Sequence, residues 1–177
     1  LDRRVNRLAN GLAALGFSPG DRIAIMLPNH PDHFYTFLAC TKLGLVQVPV
    51  NTNLRGASLD FLVAHADPHG LIADIRYADA LLPALAGTKC KTAIWRGGMA
   101  EVPRARLHAF DAVMAAGHDG PPPGAPRHDD VLSLSYTSGT TGKPKGAMVT
   151  DKMFRTAAYG AAVVAEMKTG EVVFLWE

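Results

Sequence analysis

The chain has 177 residues, 48% of them hydrophobic and 19% charged, enough apolar surface to fold and too much for a globally disordered protein. Eighteen Lys and Arg against sixteen Asp and Glu give a net charge of +2. That balance is too small to signal electrostatic binding to nucleic acid or an anionic membrane surface. The longest apolar stretches, such as Ile23 to Leu27 and Leu43 to Val50, fall well short of the roughly 20 residues of a transmembrane helix.

Val5, Leu8, Leu12 and Leu15 form the stripe of an amphipathic helix, with Gly16 placed to end it. Leu1 already belongs to that pattern, and Glu171-Val-Val-Phe-Leu-Trp-Glu177 reads as a strand with no turn after it. Both ends are therefore expected to be cut through secondary structure. Pro19-Gly20-Asp21 turns the chain into Arg22 to Leu27, a continuous apolar run expected of a strand buried on both faces. Asn29 or His30 can cap a helix with Pro31 at its first position; Phe34, Phe37, Leu38 and Thr41 are read as its inner face and Gly44 as its end. Val46 to Val50 follows as a second strand, so strand, helix and strand lie within the span of one βαβ unit.

The alternation continues with a helix from Ala57 to Ala66 that Pro68 ends, a strand at Leu71–Ile75, a helix at Tyr77–Ala86 shortened or kinked by Pro83, and a strand at Thr92–Trp95. A helical stretch is predicted over Ala105–Ala115. Gly117-His-Asp-Gly-Pro-Pro-Pro-Gly-Ala-Pro126 cannot hold helix or sheet and reads as a linker. The expected organisation is a βα-alternating part over 1–116, a Pro/Gly-rich linker over 117–130, and strand, loop, strand, helix, strand over 131–177. The fold class is α/β, doubly wound, with a mostly parallel sheet.

Cys40 and Cys90 have no disulfide or metal-ligand spacing and read as reduced, buried thiols. His30 and His33 flank a helix start, while Pro68 breaks the register between His65 and His69; surface or capping roles suit these histidines better than a metal. Asp129 and Asp130 read as a solvated linker end, and Trp95 and Trp176 as core.

The chemistry concentrates after the strand Val131–Tyr136. Thr137-Ser-Gly-Thr-Thr-Gly-Lys-Pro-Lys-Gly146 places four hydroxyls, three glycines and two lysines in ten residues. Glycines let a backbone approach a polyanion and aim N–H groups at it, hydroxyls add neutral donors, and an ammonium supplies charge. It is not the mononucleotide P-loop, which would need Gly at Thr137 and Ser or Thr at Pro144, nor a GxSxG elbow, since Tyr136 stands at the first glycine position. Ala147 to Thr150 reads as a second strand, with Thr150 or Asp151 capping a helix that points Met153, Ala157, Ala161 and Val164 inward. The loop therefore joins two strands, and no helix dipole is at its phosphates' disposal.

Leu134 to Gly146, LSYTSGTTGKPKG, resembles the phosphate-loop signature of the adenylate-forming superfamily, which includes acyl-CoA synthetases. Leu1-Asp-Arg-Arg-Val-Asn-Arg-Leu-Ala-Asn10, Gly20-Asp-Arg-Ile-Ala24, Leu27-Pro-Asn29 and Gly44-Leu-Val-Gln-Val-Pro-Val-Asn51 resemble, in family order, the N-terminal half of an acyl-CoA synthetase. Asp151 departs from the pattern, in which His is common at that position.

The resemblance implies a partial N-terminal domain, layered αβ, of an enzyme that activates a carboxylic acid with ATP and Mg2+ to an acyl-adenylate and transfers it to coenzyme A. It implies Thr137, Ser138, Gly139, Thr140, Thr141, Gly142 and Lys145 as contacts of the ATP phosphates, with Thr140 or Thr141 near the metal and Thr141 the favoured ligand. Lys143 occupies the variable position and reads as a solvated lysine. No catalytic residue is expected inside this stretch: the catalytic lysine, acidic metal ligand and acid-binding groove lie downstream in the family, so these residues alone are expected to be inactive. A cytoplasmic ligase of fatty-acid or related metabolism, without nucleic-acid partners, is the leading expectation. The alternatives are an amino-acid adenylation domain loading a carrier protein and a degenerate nucleotide-binding module.

Overall fold

The computed structural model describes residues 1–137, 144–168 and 170. Six helices and seven strands occur among them: α1 (Asp2–Ala14), β1 (Arg22–Met26), α2 (Pro31–Leu43), β2 (Val46–Pro49), α3 (Gly56–Ala66), β3 (Gly70–Asp74), α4 (Ala78–Leu85), β4 (Thr92–Arg96), β5 (Arg106–Ala109), α5 (Phe110–Ala116), β6 (Val131–Thr137), β7 (Lys145–Thr150) and α6 (Asp151–Val164). The strands form one sheet in the order β5-β4-β3-β1-β2-β6-β7. All neighbours run parallel except β6 and β7, which are antiparallel. The α/β, mostly parallel fold expected from the sequence is thus the fold observed.

Continuous apolar strands alternate their side chains between two cores. Ile23, Ile25, Ile72 and Ile94 face a layer built from α1, α2 and α5, with Leu8, Leu12, Ala39, Cys40 and Phe110. Ala24, Met26, Leu71, Ala73, Ala93 and Trp95 face α3 and α4, with Leu59, Leu62, Val63 and Leu81. Both cysteines are free and buried, as expected; burial pushes the Cys40 thiol up to about 12. The same effect takes Cys90 up to about 11, against a backbone hydrogen bond with Thr92 that lowers it.

Helix boundaries follow local chemistry. His30 is the cap of α2, its Nδ1 accepting from the Asp32 N–H at 3.2 Å, and Gly44 ends that helix in the left-handed region at φ 67°. Pro83 is accommodated within α4, which closes two residues later.

Three expectations are corrected. Arg106–Ala109 is a strand, not the start of a helix, and pairs in parallel with Thr92–Trp95; as a short, half-exposed edge strand leading straight into α5, it carries no turn residue to announce it. The buried face of α2 is Thr36, Ala39, Cys40 and Leu43, with Phe34 half exposed. Small residues at 36, 39 and 40 let this helix sit close to the sheet, while Phe34 is turned outward and Leu38 packs at the margin of the core. Finally, Met153, Ala157, Ala161 and Val164 of α6 are exposed, Val164 at 86%, because no layer among the described residues covers that face. The helix meets α2 through Phe154, whose ring stands edge-on to Phe37 at 5.4 Å.

Residues 117–130 have neither helix nor strand, but their first part is tied down. Asn10 of α1 donates from Nδ2 to the carbonyls of His118 and Gly120, each at 2.9 Å, and Asn6 donates to the Asp119 carbonyl at 3.0 Å. Two buried amides on the polar side of the α1 stripe thereby hold the segment onto the helix. The predicted strand over 171–177, including Trp176, lies outside the described residues.

Candidate functional site

The first five strands have the doubly wound order in which the chain leaves β1 in one direction for β2 and in the other for β3 and β4. In such sheets ligands bind outside the carboxyl ends of the strands, where the chain directions diverge. A crevice of about 860 Å³ opens at that edge. Leu27, Pro28 and Asn29 enter it from the end of β1, and Asn51, Thr52 and Asn53 from the end of β2. Tyr136 and Thr137 reach it from the end of β6, with Pro144 beside β7. Tyr77, which follows β3, and His33, in the first turn of α2, complete the polar part of the wall.

The hairpin geometry expected for the loop is observed at its base. Thr137 pairs with Lys145 and Tyr136 with Gly146 in the antiparallel β6/β7 ladder. Thr137 and Lys145 therefore stand side by side at the sheet's carboxyl edge, where Thr137 lines a crevice rich in amide and hydroxyl groups. Ser138, Gly139, Thr140, Thr141, Gly142 and Lys143 lie outside the described residues.

Tyr136 is half-buried, and its hydroxyl lies 2.7 Å from His65 Nδ1. Burial raises the phenol above its ordinary range, against the lowering effect of the Arg22 charge. At the other end of the hairpin, Thr150 caps α6 by accepting from the Met153 N–H at 3.3 Å. Asp151 is buried: Arg155 donates to its carboxylate from Nε at 2.6 Å, and His128 Nδ1 lies 3.4 Å from the same oxygen. The residue acts here as an ion-paired anchor of the first turn of α6.

Beside the crevice, Arg96 donates from Nε to Asp32 at 2.7 Å and from Nη1 to Asp74 at 2.8 Å. Burial acts to raise the Asp74 pKa, but the Arg76 N–H and the Arg76 and Arg96 guanidinium groups outweigh it and hold the carboxyl below its ordinary range. No three His, Cys, Asp or Glu side chains gather as a metal site among the described residues, and Thr141 is not among them.

Sequence reasoning located the hairpin but not the opposite wall. Asn29, Asn51 and Asn53 went unremarked as site residues, although a signal existed: each lies within a few residues of the carboxyl end of an apolar parallel strand, where a doubly wound sheet exposes its ligand site.

Comparison with known proteins places this edge in context. A feruloyl-CoA synthase of Amycolatopsis is 41% identical over 150 residues, covering 85% of this chain and 27% of that protein. A long-chain-fatty-acid–CoA ligase of Mycobacterium tuberculosis is 32% identical over 167 residues, covering 92% of this chain and 31% of that protein. The crystal structure of a long-chain-fatty-acid–CoA ligase from Archaeoglobus fulgidus superposes with a TM-score of 0.82 at 25% identity, over 93% of this chain and 32% of that one. The chain thus spans between a quarter and a third of the length of these curated relatives. No helix among the described residues is long and apolar enough to cross a membrane. The family model for AMP-binding enzymes matches residues 1–176, and the chain belongs to that family.

Proposed function

We propose that the polypeptide to which these residues belong is an AMP-forming acid–CoA ligase, in which Thr137, Ser138, Gly139, Thr140, Thr141, Gly142 and Lys145 hold the phosphates of ATP. The observation that carries the reading is the pairing of Thr137 with Lys145 at the mouth of a polar crevice on the carboxyl edge of the sheet, together with relatives that are CoA ligases.

In this reaction a carboxylate oxygen attacks the α-phosphorus of ATP, the bond to the bridging oxygen of pyrophosphate breaks, and an acyl-adenylate forms. The thiol sulfur of coenzyme A then attacks the acyl carbon, its proton leaves and AMP departs. The physical difficulty of the first step is that two anions meet. A lysine ammonium beside a threonine hydroxyl meets it by neutralising the β- and γ-phosphates and holding the leaving group in line. Mg2+, when bound with ATP, adds further neutralisation; Thr141 is the hydroxyl assigned to it.

Identity to the feruloyl-CoA synthase exceeds that to the long-chain ligase, which makes an aromatic propenoic acid the first substrate class and a fatty acid the second. The reaction is placed in the cytoplasm. The 177 residues alone are proposed to carry no ligase activity, in keeping with the quarter to third of each relative that they match. The test is carboxylate-dependent ATP–pyrophosphate exchange by the full-length parent across aromatic, short, long and amino acids. Exchange switched on by one acid class is the expected result; no exchange with any acid from a folded protein overturns the reading.

A further inference from the structure

The Tyr136 ring is engaged in two directions. Toward α3, its hydroxyl meets His65 Nδ1 at 2.7 Å, and the two rings stand edge to face with centroids 5.7 Å apart. His65 is itself stacked on Phe61, one turn earlier on α3, at 5.6 Å. Toward β7, Tyr136 pairs with Gly146, and a Cβ added to Gly146 would stand 3.2 Å from the ring's Cζ. The ring thus fills a slot bounded by a core helix on one side and glycine backbone on the other. The next pair along the ladder is Thr137 and Lys145.

This anchoring matters because the hairpin lies at one edge of the sheet. Its link to the interior is the pairing of β6 with β2, where Gln47 stands opposite Ser133, and the β6/β7 ladder shifts register between Val131 and Ser133. A ladder interrupted in this way leaves an edge hairpin free to twist. A phenylalanine would fill the slot equally well by packing; a half-buried phenol bonded to an imidazole adds direction.

We propose that His65 and Tyr136 are positioning residues for the phosphate-binding hairpin: the hydrogen bond between them and the wedge against Gly146 set where Thr137 and Lys145 leave the sheet beside the crevice. His65 acts through Tyr136. The kinetic consequence rests on the ATP-dependent ligase reading, whereas the structural consequence stands on the geometry alone.

The test uses the full-length parent with Tyr136→Phe, His65→Leu, the two combined, and His65→Asn, whose amide offers both a donor and an acceptor in place of Nδ1. A neutral hydrogen bond of ordinary strength implies that Tyr136→Phe and His65→Leu each raise the KM for ATP by about three- to tenfold. The KM for the acid stays within about twofold, the double variant is no worse than either single one, and His65→Asn recovers most of the loss. An unchanged KM for ATP, equal shifts for ATP and acid, or additive losses overturn the proposal. Should the wild-type protein show no exchange with any acid, the ligase reading fails by itself, and the positioning role is decided by amide hydrogen exchange at residues 145–147. Faster exchange there in Tyr136→Phe sustains the role, and exchange equal to wild type overturns it.

Discussion

Arg96 and Asp74 join the neighbouring ends of β4 and β3 through a 2.8 Å contact, and the same guanidinium reaches Asp32 in the first turn of α2. The segment that follows β1 is thereby tied to the end of β3, across the point where the chain directions diverge. Asp74 is 4% exposed and Arg96 23%, so removing that cation leaves a buried carboxylate with Arg76 as its one remaining cationic partner among the described residues. Arg96→Met is expected to lower unfolding free energy in urea by about 1–3 kcal/mol.

The same network sets a pH dependence. The folded Asp74 carboxyl titrates below its ordinary range, so its contribution to stability is present above the unfolded value of about 3.9 and is lost as pH falls through the folded value. Arg96→Met raises the folded value and shrinks that contribution. Acid unfolding followed by circular dichroism should show the variant losing structure at a higher pH than wild type; coincident curves would remove the ion network from the account of stability.

Lys145 and Lys143 are separated by one proline and differ in expected role. In the full-length parent, Lys145→Ala should cost about 2–4 kcal/mol of transition-state stabilisation in pyrophosphate exchange. Lys143→Ala, at the variable position of the motif, should change kcat/KM less than about threefold. Equal losses in the two variants would place the charge requirement in the loop as a whole.

Two helical glycines have opposite expectations. A Cβ on Gly11 of α1 would come 2.2 Å from the Val113 carbonyl oxygen of α5, whereas one on Gly160 of α6 meets nothing within 4 Å. Gly160→Ala should stabilise the chain by about 0.5–1 kcal/mol through helix propensity. Gly11→Ala gains the same propensity but must push α5 away, and thermal unfolding should show a lower Tm.

Asn10 is 7% exposed and holds the carbonyls of His118 and Gly120. Asn10→Ala leaves those bonds unmade, at a cost of about 1–2 kcal/mol. Limited proteolysis should then cut within 117–126 faster than in wild type, with the strand core still intact.

Much of this architecture could be read from the residues alone. The runs at Ile23–Met26 and Ala93–Trp95 are apolar throughout because both faces of a parallel sheet are covered, and that signal survives without tertiary information. The hairpin was legible because its composition is chemically specialised. What escaped depends on neighbours. Arg106–Ala109 is recognisable as a strand only once β4 is beside it, and the choice of Ala39 over Phe34 as an inward residue is made by the closeness of the sheet to α2. The contact of Tyr136 with His65 joins residues 71 positions apart, a distance that no helical or strand periodicity encodes.

The place of β6 in the sheet has a consequence for biosynthesis. A chain emerging from the ribosome N-terminus first holds β1 to β5, complete as a doubly wound unit, while the edge of β2 still waits for Ser133 to arrive opposite Gln47. More than eighty residues separate those partners, so this closure is among the most sequence-distant steps of assembly. The nascent protein therefore carries a strand with one open edge next to an unfinished crevice, the interval in which a holdase would have most to protect.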